Sequence, residues 1–276
     1  MKRILTAAFM IPLVLVLVFL PSKFNWVFTA AVALVAALAA WELLGLTERG
    51  GVKPPRVAVL VALMALFAVN FQWPDFTPAV FGVLGLALLV YCTFFRPIER
   101  VMGDASASIF CMLYIGFTLI ALPALREESN GPSVVTFLLC VVWCGDIAAL
   151  YVGRAWGRLK MAPSISPAKS WEGALGSMAG SLLAAGALLG LAALLQHWDL
   201  TWLSYPEEYT YWLLLAVLIN VAAQVGDLAE SALKRSAGVK DSGSLLPGHG
   251  GMLDRIDALL LAAPVLWYAL DIHKWF

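Results

Sequence analysis

The sequence predicts an all-α, polytopic integral membrane protein with about nine transmembrane helices, and three observations carry that prediction. Apolar residues fill 62% of the 276 positions and charged residues only 13%, with a mean hydropathy of +0.86. The apolar residues come in blocks of about twenty, the length an α-helix needs to cross roughly 30 Å of hydrocarbon at about 1.5 Å per residue. Lysine and arginine alternate between the connecting segments, as they do when basic flanks stay on one side of a bilayer. Zero net charge with so few charged residues excludes the ordinary soluble and disordered classes.

The first block, residues 4–20, follows Met1, Lys2 and Arg3 in the manner of a secretory signal. No small-residue cleavage site precedes Pro21 and further spans follow, so it reads as an uncleaved helix. Blocks at 25–46, 57–73, 77–95 and 106–125 complete an N-terminal set of five helices, residues 1–130, that carries no usable motif. The remaining blocks, 132–152, 173–196, 210–233 and 252–272, belong to a C-terminal region, residues 131–276, in which all the candidate chemistry falls. Cys92, Cys111, Cys140 and Cys144 all lie inside predicted spans, where cysteine behaves as a small apolar residue.

With the amino terminus inside, fourteen of the 18 basic residues fall on the cytoplasmic side and three, Lys23, Arg126 and Lys274, on the other; Arg255 sits at the mouth of the last helix. This orientation puts two polar loops, 153–172 and 234–251, on the cytoplasmic face.

Within the eighth block, Asn220, Gln224, Asp227 and Ser231 recur at steps of four, three and four, which aligns them on one helix face, with Glu230 beside them. Asn and Gln at such positions either glue helices together or serve a site. A carboxylate inside a span is costly enough to be a functional hypothesis by default. The ninth block opens with Asp254, Arg255 and Asp257, and the sixth carries Asp146 toward its cytoplasmic end. Magnesium takes oxygen ligands, usually one or two carboxylates plus water and phosphate, so Asp227 and Asp254, with Asp257 and Asp146 nearby, are the expected metal ligands.

"PGHGGMLDR" places three glycines around His249 directly before a helix start. Glycine lets backbone N–H groups approach a ligand, and a helix amino terminus attracts anions, so Gly250 and Gly251 suit phosphate. Lys234, Arg235 and Lys240 add positive charge. His249 has the chemistry of a metal ligand, a proton shuttle or a structural loop residue. The loop 153–172 is basic too, but cytoplasmic loops are basic by the inside rule alone.

Taken together, Ser231 to Asp257, "SALKRSAGVKDSGSLLPGHGGMLDRID", closely resembles the signature of the phosphatidate cytidylyltransferases, or CDP-diacylglycerol synthases. Ser231, Lys234, Arg235, Lys240, Asp241, Pro247, His249, Gly250, Gly251, Asp254, Arg255 and Asp257 meet its fixed positions. A second block is similar to the same family: Asp146, Gly153, Arg154, Gly157 and "SPAKSWEG" from Ser166 to Gly173; Arg158 stands where many relatives carry lysine.

The resemblance implies that CTP reacts with phosphatidate to give CDP-diacylglycerol and pyrophosphate, with Mg²⁺ and room for a monovalent ion. It implies a multi-pass protein of a bacterial-type inner (plasma) membrane, with its active site on the cytoplasmic side. It also implies a homodimer and no nucleic-acid partner. The expected catalytic residues are Asp227, Asp254, Asp257, Lys240, His249 and Arg255. Lys240, Lys234, Arg235, His249, Gly250 and Gly251 are expected to hold CTP phosphates; Lys169, Arg154 and Arg255 fall to the lipid phosphate, with Ser166 among the substrate contacts. The rival readings are a CTP-dependent polyprenol kinase, which would move the γ-phosphoryl group, and an ion-coupled transporter, for which no internal repeat is present.

Overall fold

The computed structural model describes residues 2–206, 208–243 and 250–273, with side chains from Met10 onward. Ten α-helices follow one another: α1 (Lys2–Val18), α2 (Asn25–Arg49), α3 (Arg56–Gln72), α4 (Thr77–Phe95), α5 (Val101–Cys111), α6 (Thr118–Glu127), α7 (Gly131–Trp156), α8 (Trp171–His197), α9 (Tyr209–Ser236) and α10 (Leu253–His273). A π-turn, Met112–Phe117, joins α5 to α6, so every predicted apolar block corresponds to one helical rod. Among the described residues, seven of these rods have the length and apolarity to cross a membrane, whereas α3 is a shorter apolar helix of 17 residues.

The chain divides into two compact units. One comprises Met1–Pro123 and Leu233–Ile256, and the other Ala124–Ala232 and Asp257–Phe276. The segment rich in signature residues thus clusters with the N-terminal helices, and α6, α9 and α10 each contribute to both units.

The first unit has its core where α2, α3 and the π-turn meet. Ala36, Ala39, Leu44, Leu63, Leu66 and Ile115 are there completely buried. The small alanines of α2 allow close approach of its neighbours, the packing that helices in lipid depend on. Gly116 lets the π-turn pack closely on α3: a Cβ there would fall 2.7 Å from Leu63 Cδ1. Asp104, only 1% exposed in α5, accepts from the Lys53 backbone N–H at 2.9 Å and faces Arg96 at 3.6 Å, which ties together the loops flanking α3 to α5.

The second unit is built on the pairing of α7 with α8. A Cβ at Gly176 would come within 2.6 Å of the Val152 side chain, and one at Gly180 within 2.8 Å of the Cys144 carbonyl. These glycines let the two helices touch backbone to side chain, a small-residue interface of the kind common in membranes. Phe137, Tyr205 and Trp212 form an aromatic cluster with ring centroids 4.9–5.8 Å apart, and Tyr205 Oη donates to the Ser133 carbonyl at 3.0 Å.

Between α7 and α8 the chain forms a small antiparallel hairpin, β1 (Lys160–Ala162) and β2 (Ser166–Ser170). The sequence reading expected an all-α protein with a polar loop here, and the short strands are the exception to it. Trp171 N–H donates to the Leu159 carbonyl at 2.9 Å, and the Leu159 N–H donates to the Glu172 carboxylate at 3.1 and 3.2 Å. Ser170 caps α8 by accepting from Gly173 N–H at 3.2 Å. Those bonds fix where β2 ends and so where Lys169 projects.

Candidate functional site

Each unit holds its own polar centre. In the second unit, the stripe predicted on α9 exists, but its two ends do different things. Asn220 Nδ2 donates to Ser177 Oγ and Ser181 Oγ, both at 2.8 Å, and Ser181 Oγ donates to the Val141 carbonyl at 2.7 Å. Gln224 Nε2 donates to Asn220 Oδ1 at 2.6 Å and to the Ala174 carbonyl at 3.3 Å. The amide groups therefore knit α7, α8 and α9 together, which is the gluing role. Gly145 makes room for them, since a Cβ there would sit 2.6 Å from Ser181 Oγ and 2.8 Å from Asn220 Nδ2.

One turn further on, Asp227 leaves that network. Its Oδ2 pairs with Lys169 Nζ at 2.6 Å, the two side chains being 36% and 24% exposed, and Ser231 Oγ stands 3.5 Å from Oδ1. Asp146, exposed on α7, is within electrostatic reach of both Asp227 and Lys169. Gly226 brings α9 hard against the start of α10, where a Cβ would meet the Asp257 carbonyl at 2.7 Å. Asp257 Oδ1 accepts from the Ala258 N–H at 2.8 Å, and Glu230 is completely buried.

The first unit's centre is organised around Asp254. Its Oδ1 accepts from Lys234 Nζ at 2.6 Å, with side-chain exposures of 8% and 11%. Its Oδ2 accepts from Gly251 N–H at 2.8 Å, Ser242 N–H at 3.0 Å and Ser242 Oγ at 2.9 Å. Gly250 adopts φ of +79°, and a Cβ there would approach Asp254 Oδ2 to 2.6 Å, so this position requires glycine twice over. The Gly251 N–H, expected from the sequence to face phosphate, is here committed to Asp254.

Ser242 and Glu42, absent from the sequence-based site, complete this centre. Glu42 Oε2 accepts from Ser242 Oγ at 3.0 Å and from Leu253 N–H at 2.9 Å. Its signal was available: a lone carboxylate in the apolar run of α2 meets the same rule that singled out Asp227.

The remaining sequence-predicted residues are placed as follows. Arg235, Lys240 and Arg255 are exposed in the first unit, and the Arg235 guanidinium donates to the Val239 carbonyl at 3.1 Å. Arg154 is exposed in the last turn of α7, and Ser166 is half-buried in β2 opposite Ala162. His249 and Pro247 lie outside the described residues. Asp227 and Asp254, expected to share an ion, fall in different units, each with its own lysine.

The donor sets differ in what they offer a cation. Asp254 has both oxygens engaged by four donor groups, whereas Asp227 has one part-exposed lysine and a second carboxylate in reach. Among the described residues no group of three or more His, Cys, Asp or Glu is arranged to hold a metal. Mg²⁺ takes only one or two carboxylates and leaves the rest of its coordination to water and phosphate, so a part-exposed carboxylate such as Asp227 has the donor chemistry for it.

Comparison with known proteins places these centres in context. A family model described as the cytidylyltransferase family matches residues 1–273. The chain is 43% identical over 166 residues to a phosphatidate cytidylyltransferase of Brucella suis, a match that covers 60% of this chain and 56% of that relative's length. It is 32% identical over 298 residues to one of Synechocystis, covering 97% of this chain and 95% of the relative. Over 256 residues it is 32% identical to one of Bacillus subtilis, covering 90% of each. With seven rods able to span a bilayer, the chain is a multi-pass membrane protein.

Proposed function

This chain belongs to the cytidylyltransferase family, and from that premise we propose that it transfers the cytidylyl group of CTP to phosphatidate, giving CDP-diacylglycerol and pyrophosphate for phospholipid synthesis. One observation of the structure supports the reading: Asp227 pairs with a single part-exposed lysine, Lys169, at 2.6 Å. A part-exposed ion pair contributes only about 1 kcal/mol or less, so a more highly charged partner readily displaces it.

In the reaction a phosphate oxygen of phosphatidate attacks the α-phosphorus of CTP in line. A new P–O bond forms as the bond from the α-phosphorus to the bridging oxygen of the β-phosphate breaks, and pyrophosphate departs with the electron pair. No covalent enzyme intermediate is needed; positioning and charge stabilisation suffice. Asp227 and Asp146 would hold Mg²⁺, with Asp257 as a further candidate ligand, and the ion would supply Lewis-acid stabilisation of the phosphate charge. Lys169 and Arg154 are assigned to the phosphatidate phosphate. Arg235 and Lys240, both exposed, are assigned to the CTP phosphates and Arg255, also exposed, to the phosphatidate phosphate, with Asp254 and Lys234 organising the backbone that carries them.

The distribution of basic residues supports a cytoplasmic placement of both polar loops, where CTP is available, and the bacterial relatives support a bacterial-type inner membrane. A homodimer is part of the same proposal, and its mass in detergent tests it: a monomer removes that part. The reaction itself is tested by incubating purified protein with phosphatidate, Mg²⁺ and CTP labelled at either phosphorus. Label from the α-position should enter lipid and label from the γ-position should leave as pyrophosphate; γ label in lipid would identify a kinase instead.

A further inference from the structure

Glu42 lies in the C-terminal third of α2, within "AALAAWELLGL", and is 9% exposed. A carboxylate in such a position is costly unless its surroundings use it. Its Oε2 receives Leu253 N–H and Ser242 Oγ, while Oε1 has no hydrogen-bond partner among the described residues. Both donors flank Asp254: Ser242 also gives Asp254 its N–H, and Leu253 is its chain neighbour in the first turn of α10.

Two glycines make room for this carboxylate. A Cβ at Gly243 would come 2.5 Å from Glu42 Oε1, and one at Gly251 would overlap Glu42 Oε2 and Ser242 Oγ. Gly251 is a fixed position of the signature, so part of what that glycine does is to admit an acidic side chain from a helix some 200 positions earlier. The Ser242 hydroxyl has one proton and lies within 3.0 Å of both carboxylates, so it can serve only one at a time. Glu42 and Asp254 are thereby coupled through a single group.

We propose that Glu42 is a positioning residue for the nucleotide-side segment: through Ser242 and the Leu253 N–H it fixes Asp254 and the Gly250–Gly251 backbone. It so sets where Lys240 meets the CTP phosphates. The inference rests on the cytidylyltransfer reading, but it concerns a residue outside both motif blocks and makes a separate claim. An apolar side chain in α2 would serve packing alone at least as well, because buried ionic groups rarely add stability over apolar ones.

The test uses the full-length protein in lipid with Glu42→Ala, Glu42→Gln, Ser242→Ala and the double variant Glu42→Ala/Ser242→Ala, measuring kcat and KM for each substrate and thermal unfolding. Glu42→Ala is expected to lower kcat/KM for CTP by about ten- to a hundredfold, the range for residues that orient others. The KM for phosphatidate should stay within about twofold, since a change confined to one substrate's site leaves the other's binding intact. Glu42→Gln keeps an acceptor oxygen for Leu253 N–H and should recover most of the activity. The double variant should cost less than the two single changes combined, as coupled neighbours do. A lowered unfolding temperature with unchanged kcat/KM for both substrates, an equal fall for both, or strict additivity would overturn the proposal. If Glu42→Ala does not fold, Glu42→Leu, which keeps the volume but removes the acceptor, takes its place in the same cycle with Ser242→Ala. Wild-type protein that transfers no α label to lipid would instead remove the function reading; active wild type with an indifferent Glu42→Ala removes this inference alone.

Discussion

Asp254 in the first unit and Asp227 in the second are each paired with a lysine at 2.6 Å, yet the two pairs stand in different surroundings. Around Asp254 the side chains are about one-tenth exposed, and two backbone N–H groups and a hydroxyl share the carboxylate with Lys234. Asp227 and Lys169 are a third and a quarter exposed, with a second carboxylate nearby. Breaking a buried pair by removing one partner costs about 3–5 kcal/mol, while an exposed pair contributes roughly 0.2–1 kcal/mol. The first centre thus ties the glycine-rich segment to α9 through four donor groups, while the second leaves a carboxylate more open to solvent, as the proposed metal role of Asp227 requires. The same two residue types at the same distance do different work because of burial and donor count.

Several substitutions would break or sharpen that contrast. Asp227→Asn should reduce cytidylyl transfer by about a thousandfold or more, as loss of a metal-holding carboxylate does, while thermal unfolding stays close to wild type; a large drop in unfolding temperature would make the two centres alike. Asp254→Ala should destabilise by about 3–5 kcal/mol, because it breaks a buried ion pair by removing one member, and chemical denaturation in detergent reads this directly. Gly145→Val drives a side chain into Ser177, Ser181 and Asn220 and should cost about 1–3 kcal/mol, visible as poorer folding before any effect on the activity of the folded fraction. Asn220→Ala should be the mildest, about 0.6–2 kcal/mol, with kcat of the folded protein preserved. A loss of kcat there comparable with that of Asp227→Asn would move the amide stripe into the active centre.

Much of the helical layout was legible because lipid imposes it: an apolar block of about twenty residues has few alternatives to a helix. The hairpin at Lys160–Ser170 was not, since three- and five-residue strands carry too little pattern to show against a basic loop. Nor was the π-turn at Met112–Phe117, for which the apolar block carries no local signal. In the candidate site, the four-three-four spacing found the α9 face, but it could not separate Asn220 and Gln224, which hold helices together, from Asp227, which faces Lys169. That distinction depends on what α8 and β2 place opposite each residue. Gly250 and Gly251 were read as a phosphate cradle, and the structure adds the carboxylates that their missing side chains admit. Glu42 meets its partners across about 200 residues, beyond the reach of motif spacing, although its charge in an apolar helix marked it.

The contrast between the two carboxylates is tested most directly by Mn²⁺ titration of the purified protein, followed by electron paramagnetic resonance, with wild type beside Asp227→Asn. Mn²⁺ suits the same oxygen ligands as Mg²⁺. The account predicts that the substitution weakens Mn²⁺ binding by at least about tenfold, the lower range for loss of groups that support a metal site. Binding by Asp227→Asn as tight as by wild type would contradict it.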